Sequence, residues 1–294
     1  MSILKTTTNG SVAYVRFTAA AALANLNKSG VPFTYAAVVS PSQSNLQQDL
    51  LYAAPAFPWS GDISGGLGIS AQMKSGCGWS DDSTQIAYEP DPALAVGKWY
   101  ILVATNTSPG TSSDLTLYIK NLTDATAWEI SGALTGLAVT ASTTDVSIGN
   151  GGASDFGTNG ASWALVGIWA GVALSSAQVQ ALSTNMRTSD WYGNAGGHPD
   201  FLVECTSLTT LTDIGAHPSA YVANSNLSLV ADTSGWNFNG QGGGGAAKPA
   251  RPTRVTNPTA VNRAATWMKE GRRNWWRPRL WTPPRPAFAG VYLD

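Results

Sequence analysis

Two carboxylates at alternate positions are the first residues that could do chemistry in this chain. Glu89 and Asp91 have the spacing that puts two side chains on one face of a strand. Sandwich-fold enzymes that cleave glycans need such a pair, one acid and one nucleophile or base, roughly 5–10 Å apart. Pro90 and Pro92 argue against a strand, because proline cannot donate to its hydrogen-bond ladder. The third acid that these enzymes place after the pair is also missing. The sequence therefore predicts a solvated turn at this segment.

Other catalytic groups are scattered along the chain. His198 and His217 each precede a proline in a turn, and an isolated histidine of this kind is more often solvated than a base or a metal ligand. The sequence contains no nucleophile elbow, no P-loop and no dinucleotide fingerprint. We predict a protein without catalytic residues and without a cofactor. None of the four glutamates belongs to an acid cluster: they are Glu89, Glu129, Glu204 and Glu270.

Aspartates near glycine-rich turns could supply oxygen ligands to a calcium ion. No EF-hand spacing singles out a ligand set, so the favoured interpretation is that each aspartate bonds its own backbone in a turn. Calcium stays an open alternative, with no metal-binding residue assigned. The candidates are Asp62, Asp81, Asp82, Asp145 and Asp155.

Tryptophan is abundant, with 12 residues, and an exposed indole ring could stack against the C–H face of a sugar. Trp99 and Trp169 stand in apolar runs, so we predict that both belong to the core. Trp59 and Trp79 are predicted to lie in loops. They are the candidate platform for a glycan.

The C-terminal residues interleave cations with aromatic rings. That pattern suits single-stranded nucleic acid, where Arg contacts phosphate and rings stack on bases. It also suits anchoring on a protein, where rings fill pockets and Arg pairs with acids at the rim. Seven prolines after residue 247 and an apolar end at 288–293 favour a defined protein groove, because proline lowers the entropy lost on docking. The predicted anchoring residues are Arg272, Arg273, Trp275, Trp276, Arg277, Arg279 and Trp281.

Charge divides the chain into two parts. Residues 1–240 carry 7 Lys/Arg and 16 Asp/Glu, a net charge of −9. Residues 241–294 carry 10 Lys/Arg and 2 Asp/Glu, a net charge of +8. Opposite charges favour pairing between copies, with the basic segment of one along the acidic body of another. We therefore predict a homo-oligomer, with protein rather than nucleic acid as the partner.

Strand signals fill the first 230 residues. Apolar runs at 31–39 and 99–105 predict buried strands, and residues 115–120 alternate with period two, as in a strand with one wet face. Residues 174–182 have helical spacing behind a serine N-cap, and residues 23–27 carry a weaker signal for one helical turn. The fold class predicted is an all-β antiparallel sandwich with one short helix. Further strand candidates lie at 127–130, 145–148, 163–169, 201–204 and 227–230.

Composition sets the predicted domain boundaries. A glycine-rich linker at 241–247 separates a sandwich at 1–240 from an extended arm at 248–294, which lacks the apolar periodicity to build a core. Cys77 and Cys205 are the only cysteines, and whether they pair is left open. The N-terminus has no signal-peptide pattern and no 18 apolar residues run together. We predict synthesis in a cytoplasm and no membrane span.

The order of several short motifs resembles a known family. They are KWYILVA at 98–104, LTLYIKN at 115–121, VSIG at 146–149, GIW at 167–169 and ALSSAQVQAL at 173–182. Their succession resembles a concanavalin A-like or laminin-G-like jelly roll. Asn121 stands where a turn glycine is usual, and Gln178 stands where an acid is common. The resemblance implies a jelly-roll sandwich, carries over no catalytic residue and leaves calcium at the sandwich rim open.

Domains of this family occur in lectins, glycan hydrolases and adhesion modules, and are similar to domains in minor tail and head-decoration proteins of tailed bacteriophages. Two cysteines and a basic arm fit the phage setting. The resemblance thus implies a non-enzymatic virion structural protein on the particle exterior, either a minor tail or a capsid-decoration protein. It would be made in the host cytoplasm and bind other virion proteins. The alternative is a carbohydrate-binding adhesin for host-surface glycans, and a glycan hydrolase ranks below it.

Overall fold

The structure is a computed structural model. It describes residues 2–6, 13–41, 48–54, 64–70, 72–80, 85–88, 93–110, 114–134, 142–149, 161–208 and 211–238. The predicted linker at 241–247 and arm at 248–294 lie outside the described residues, as does the carboxylate pair of Glu89 and Asp91.

Strands dominate the described residues, and all of them pair antiparallel. Two short α-helices, α1 (Ser176–Ala181) and α2 (Thr188–Tyr192), follow one another in the second half of the chain. The strands are β1 (Ser2–Thr6), β2 (Tyr14–Thr18), β3 (Phe33–Pro41), β4 (Gln48–Ala54), β5 (Ser64–Ile69), β6 (Ser75–Ser80), β7 (Gln85–Tyr88), β8 (Tyr100–Asn106), β9 (Leu115–Asn121), β10 (Glu129–Ile130), β11 (Asp145–Gly149), β12 (Ala161–Ala170), β13 (Phe201–Glu204), β14 (Ala220–Ser225) and β15 (Leu227–Ala231).

The strands form two sheets. In the described part of the chain, one sheet has eight strands in the order β10-β9-β8-β3-β12-β1-β15, with β13 also paired to β12. The other sheet has seven described strands in the order β14-β2-β11-β4-β5-β6-β7. Many neighbours are distant in sequence, so the chain crosses repeatedly between the sheets, as in a jelly roll. The predicted antiparallel jelly-roll sandwich is confirmed.

The main core lies between the two sheets. Alternation along β2 and β11 turns Phe17 and Val146 inward, where they meet residues of the eight-stranded sheet such as Trp163. The ring of Phe17 packs edge-on against Phe201, with centroids 5.1 Å apart. Burying each ring contributes about 2–3 kcal/mol, so this contact ties the two sheets together.

A second apolar layer covers the outer face of the eight-stranded sheet. Trp191 of α2 lies between Trp169 of β12 and Trp236, with ring centroids 5.7 Å and 6.0 Å away. Phe238, the last described residue, is buried in the same layer. Because both faces of the sheet are covered, β3 and β8 are buried along their whole lengths. This confirms the buried strands predicted from their continuous apolar runs.

The first helix begins where the sequence predicts. The Ser175 hydroxyl accepts a hydrogen bond from the Gln178 amide, and the Gln178 side chain accepts one from the Ser175 amide at 2.8 Å. This capping box satisfies two donors that a helix start leaves open. Val179 then packs into the outer layer.

The second helix corrects the prediction of one short helix. Its sequence, Thr-Ser-Asp-Trp-Tyr, consists of weak helix formers, so it carries no helical signal. Tertiary packing holds it instead: Trp191 is fully buried and its indole N–H donates to the Leu182 carbonyl at 3.1 Å. The helical turn predicted at 23–27 is a 3-10 turn at Ala21–Leu23.

Two glycine-rich strands, β5 and β6, escape the sequence prediction because glycine disfavours strands. Tight packing explains one of the glycines. Asn27 is buried with φ of 65°, and its side-chain amide donates to the Tyr35 hydroxyl at 2.7 Å. A Cβ at Gly65 would fall into the space of that amide. Glycine therefore lets β5 approach the core.

The cysteines do not form a disulfide. Cys77 and Cys205 are free thiols, both fully buried, and burial raises the pKa of each thiol. No helix within the described ranges is long and apolar enough to cross a membrane.

Candidate functional site

The two sheets differ in what lies on their outer faces. In the outer apolar layer, the strands that pack with α1, α2 and residues 236–238 all belong to the eight-stranded sheet. None of these elements packs on the outer face of the seven-stranded sheet, among the residues that the structure describes. That face, formed at its centre by β2, β11, β4, β5 and β6, is the candidate site. We call it the glycine face, after its residues on β5 and β6.

A tyrosine ring and a glycine floor form one half of the glycine face. A Cβ at Gly66 would come within 2.7 Å of Tyr52 Cγ, and one at Gly68 within 3.8 Å of Tyr52 Oη. The ring of Tyr52 therefore lies along β5, directly over its backbone. Gly66 pairs with Gly78, and Gly68 pairs with Gly76, on the neighbouring strand β6. Four glycines thus form two cross-strand pairs, of which Gly66 and Gly76 are buried and Gly68 is half-buried.

Polar side chains form the other half. Arg16 Nε donates to Asp145 Oδ1 at 2.8 Å, and the Thr144 hydroxyl donates to Asp145 Oδ2 at 3.1 Å. Ser147 stands between Arg16 of β2 and Tyr52 of β4 in the strand register. Its hydroxyl is buried and has no hydrogen-bond partner within the described residues. The glycine face therefore carries an internally neutralised ion pair beside an aromatic ring.

The ion pair between Arg16 and Asp145 affects whether Asp145 could bind calcium. Asp145 is bound to Arg16, so a cation would have to displace a guanidinium to reach it. Within the described ranges, no three His, Cys, Asp or Glu side chains converge on one point. The other four aspartate candidates, Asp62, Asp81, Asp82 and Asp155, lie outside the described residues.

One histidine is not isolated, contrary to the sequence prediction. His217 Nδ1 lies 2.7 Å from Asp200 Oδ1, while Asp200 Oδ2 accepts a hydrogen bond from the Ala170 amide at 2.7 Å. The other histidine, His198, packs its ring 5.3 Å from that of Tyr192. A carboxylate that orients a histidine is one component of a general base. Among the described residues no hydroxyl or thiol bonds to His217, so its geometry supports loop ordering rather than nucleophile activation.

No family model matches this sequence, and no curated protein matches it. Solved structures do resemble the fold. The native heptameric SAP-like pentraxin of Limulus polyphemus is 10% identical with a TM-score of 0.44, over 79% of this chain and 96% of the pentraxin. The CBM40 of Ruminococcus gnavus IT-sialidase, bound to alpha2,3 sialyllactose, is 11% identical with a TM-score of 0.37, over 61% and 97%.

Trypanosoma rangeli sialidase is also similar, at 17% identity and a TM-score of 0.34. That match covers 51% of this chain and 22% of the sialidase, so the chain spans about a fifth of that enzyme. It assigns no site and no activity to this chain.

One residue of the predicted glycan platform lies in a described strand. Trp79 belongs to β6, paired with Gly65 on one side and Gln85 on the other, so its predicted loop position is wrong. Trp59 lies outside the described residues, as do the seven arm residues from Arg272 to Trp281. Trp99 and Trp169 are buried, which confirms their place in the core.

Sequence reasoning missed the glycine face. A signal was present: glycine alternates with an apolar residue in Gly66-Leu67-Gly68 and again in Gly76-Cys77-Gly78. Leu67 and Cys77 both point into the core, so the period of two marks strands with glycine outward. Tyr52 gave no such signal, because its position over Gly66 depends on how β4 pairs with β5.

Proposed function

We propose that the sandwich is a non-catalytic carbohydrate-binding module whose ligand lies on the glycine face. The observation that carries this proposal is the Tyr52 ring lying along Gly66 and Gly68. An aromatic ring next to a floor without side chains accepts a flat ring with C–H groups, which is the shape of a pyranose. Gly68 is half-buried beside the hydroxyl end of that ring, so a sugar stacked on Tyr52 could reach its backbone.

Charge supports a neutral ligand. Arg16 and Asp145 neutralise each other on the glycine face. Residues 1–240, which contain the glycine face, carry a net charge of −9, so the sandwich would repel a polyanion. A neutral or weakly charged oligosaccharide fits this surface.

The non-catalytic part of the proposal is supported by the acids. Glycoside hydrolysis uses two carboxyl groups across the scissile bond. On the glycine face, Asp145 lies on the strand next to that of Tyr52 and is held by Arg16. A binding role needs no second carboxylate.

Binding to glycan arrays tests the proposal on the full chain. Tyr52→Ala is expected to weaken binding roughly tenfold, because an aromatic contact adds about 0.5–1.5 kcal/mol to the burial it provides. Tyr52→Phe keeps the ring and is expected to bind normally. Gly68→Val puts a side chain on the floor and is expected to block binding, whereas Gly132→Val, with nothing within 4 Å of its Cβ, is the matched control.

Two results would contradict this function. One is a wild-type chain that binds no glycan. The other is glycan binding that survives both Tyr52→Ala and Gly68→Val in chains whose melting temperatures are unchanged. Release of new reducing ends from a bound glycan would contradict the non-catalytic assignment.

A second function is favoured by the charge division of the sequence. We propose that the C-terminal arm fastens the module into a larger assembly, on the exterior of a bacteriophage particle as a minor tail or capsid-decoration protein. The support is a +8 segment rich in Trp and Pro after a −9 body. Rings that fill pockets on a partner would hold the arm, and arginines would pair with acids at the rim.

Incorporation into particles across salt tests the arm. Changing Trp275, Trp276 and Trp281 to Ala should abolish incorporation at every salt concentration, because ring burial of about 2–3 kcal/mol each is not screened. Changing Arg272, Arg273 and Arg277 to Gln should weaken it chiefly at low salt, where their charge contacts are least screened. Tight binding of the arm to single-stranded DNA with a steep salt slope, while the Trp variant still assembles, would refute protein anchoring.

A further inference from the structure

The glycine face carries a second tyrosine, Tyr14, which is the first residue of β2. Val15 and Phe17 of the same strand are buried in the core between the sheets. Tyr14 and Arg16 alternate with them and therefore belong to the outer face, where Arg16 forms its ion pair. Tyr14 is half-buried, as Tyr52 is. Two tyrosines with accessible surface thus lie on this face.

The two tyrosines are several strands apart. Tyr14 stands on β2, whereas the ring of Tyr52 lies over the backbone of β5. β11 and β4 lie between β2 and β5 in the sheet, so three strand spacings separate the two positions, which is roughly 14 Å. That distance exceeds one pyranose ring. A ligand that contacts both tyrosines must therefore be a chain of sugars that runs across the strands.

Both tyrosines have a glycine as their neighbour on the next strand. Tyr14 pairs with Gly149 of β11, and Tyr52 pairs with Gly66 of β5. Gly149 has a φ of 82°, and a Cβ there would come within 2.5 Å of the Ala13 carbonyl oxygen, so the backbone itself requires glycine. The surface is alike in both places, because no side chain stands opposite the tyrosine on that strand.

A buried hydroxyl lies on the path between the two tyrosines. Ser147 of β11 is 3% exposed and is flanked in the register by Arg16 and Tyr52. Its hydroxyl has no hydrogen-bond partner among the described residues, although buried polar groups usually have one. A sugar hydroxyl above β11 would supply that partner once a flanking side chain moves aside. The middle of the path thus offers a polar contact between two aromatic ones.

We propose that the glycine face binds a linear neutral oligosaccharide that crosses β2, β11, β4 and β5. Tyr14 is its second stacking residue, and Ser147 is the polar contact between the two rings. This inference rests on the proposed sugar binding and adds the class of sugar chain. A tyrosine ring stacks on the C–H face of a pyranose, so two rings set apart select a chain that presents such faces repeatedly.

Linkage geometry and charge narrow the class of chain further. Equatorial linkages keep successive pyranose rings in an extended ribbon, whereas axial linkages coil the chain. Only an extended chain runs straight across three strand spacings and presents a flat face at each end. Residues 1–240 carry a net charge of −9, which repels acidic sugars. The ligand expected is therefore a neutral, equatorially linked chain.

Calorimetric titration of the full chain with oligosaccharides of one to six sugars tests the inference. The probes are cello-, manno- and xylo-oligosaccharides, which are neutral and equatorially linked. Malto-oligosaccharides, which are axially linked, are the comparison. The wild-type affinity for at least one equatorial series is expected to rise with chain length until both rings are covered and then to level off. The malto series is expected to show no such rise.

Variants of the full chain assign the length dependence to its residues. Tyr14→Ala is expected to lower the affinity for the six-sugar chain roughly tenfold, toward that of the two-sugar chain, because one stacking contact is lost. Tyr14→Phe keeps the ring and is expected to keep the length dependence. Ser147→Ala is expected to weaken binding of the long chain roughly fivefold, the loss of one hydrogen bond. The matched control is Tyr221→Ala, because Tyr221 is 43% exposed but packs its ring 5.9 Å from that of Phe17, on the core side of the sheet.

The possible results separate this inference from the proposed function. Sugar binding that does not strengthen with chain length, or that Tyr14→Ala leaves intact at every length, would overturn the second stacking residue and leave the sugar site standing. Binding to arrayed glycans but to none of the three equatorial series, or an equal gain with the malto series, would overturn the class of chain. A wild type that binds no glycan would overturn both proposals. Equal melting temperatures of the unliganded variants ensure that a loss of affinity is not a loss of fold.

Discussion

Tyr192 joins α2 to the loop that follows β13. Its hydroxyl donates a hydrogen bond to the Ile214 carbonyl oxygen. Burial raises the pKa of this phenol to about 12, and the negative charges of Glu204 and Asp213 add to the rise. Between pH 10 and about 12 the folded protein therefore keeps the phenol proton, whereas the unfolded chain has already lost it.

Tyr192→Phe is expected to lower the free energy of unfolding by an amount that depends on pH. Near neutral pH the variant should lose about 1 kcal/mol of unfolding free energy, the worth of one hydrogen bond. Between pH 10 and about 12 the native state binds more protons than the unfolded state, so wild-type stability falls as pH rises. The difference between wild type and variant should narrow in that window. Urea unfolding at a series of pH values measures it, and a constant difference up to pH 12 would contradict the assignment.

The burial of a residue was predictable where its neighbours in sequence determine it. Trp99 and Trp169 stand inside apolar strands, and both are buried. His217 and Asp200 are 17 positions apart, and their contact depends on how two loops fold back. Their local neighbours are Gly, Pro and Asp, which predict turns but not a partner. The contacts that sequence reasoning missed are thus the ones made between distant segments.

At the scale of elements, the segment after β15 completes the outer apolar layer. Trp236 is 3% exposed and Phe238 is 1% exposed, so both contribute to the fold. The Trp236 amide donates to the Ser234 hydroxyl at 3.0 Å, which orders the turn before it. The described part of the sandwich therefore includes residues up to 238.

Truncation tests where the fold ends. A chain ending at Gly240 is expected to melt cooperatively with β-type circular dichroism. A chain ending at Thr233 loses both aromatic side chains and should be destabilised by about 3 kcal/mol or more, as large-to-small changes of buried rings are. Trp236→Ala in the Gly240 chain is the matched point variant. Aggregation of the Gly240 chain under all conditions would mean that the arm belongs to the core.

Strands and helices were predictable where their own sequences have a clear apolar periodicity. β8 and β9 have clear apolar or alternating runs, and α1 has a Ser175 cap with helical spacing. β5 and β6 have glycine where strand formers are expected, and pairing with β4 and β7 supplies what propensity lacks. α2 likewise exists through the burial of Trp191. Tertiary packing overrode local preference in each of these cases.

At the scale of the whole molecule, composition and strand spacing were enough for the fold class. The low charge, the many turn residues and the short apolar runs at 31–39 and 99–105 predicted a sandwich. They did not predict that the outer apolar layer of the described residues covers the eight-stranded sheet only. That asymmetry arises because α1, α2 and residues 236–238 pack into one layer. The proposal of a ligand on the glycine face rests on this asymmetry.

The layer that holds Trp236 and Phe238 also sets how the molecule responds to pulling. Tension applied through the C-terminal segment reaches these two side chains before any strand. Removing the two rings from their layer costs about 2–3 kcal/mol each, and β15 comes under load only afterwards. β15 is held by its register with β1, from Ser2 paired with Ala231 to Thr6 paired with Leu227. Under a stretching force, the segment with Trp236 and Phe238 is thus expected to detach first, while the strands of the sheet remain paired.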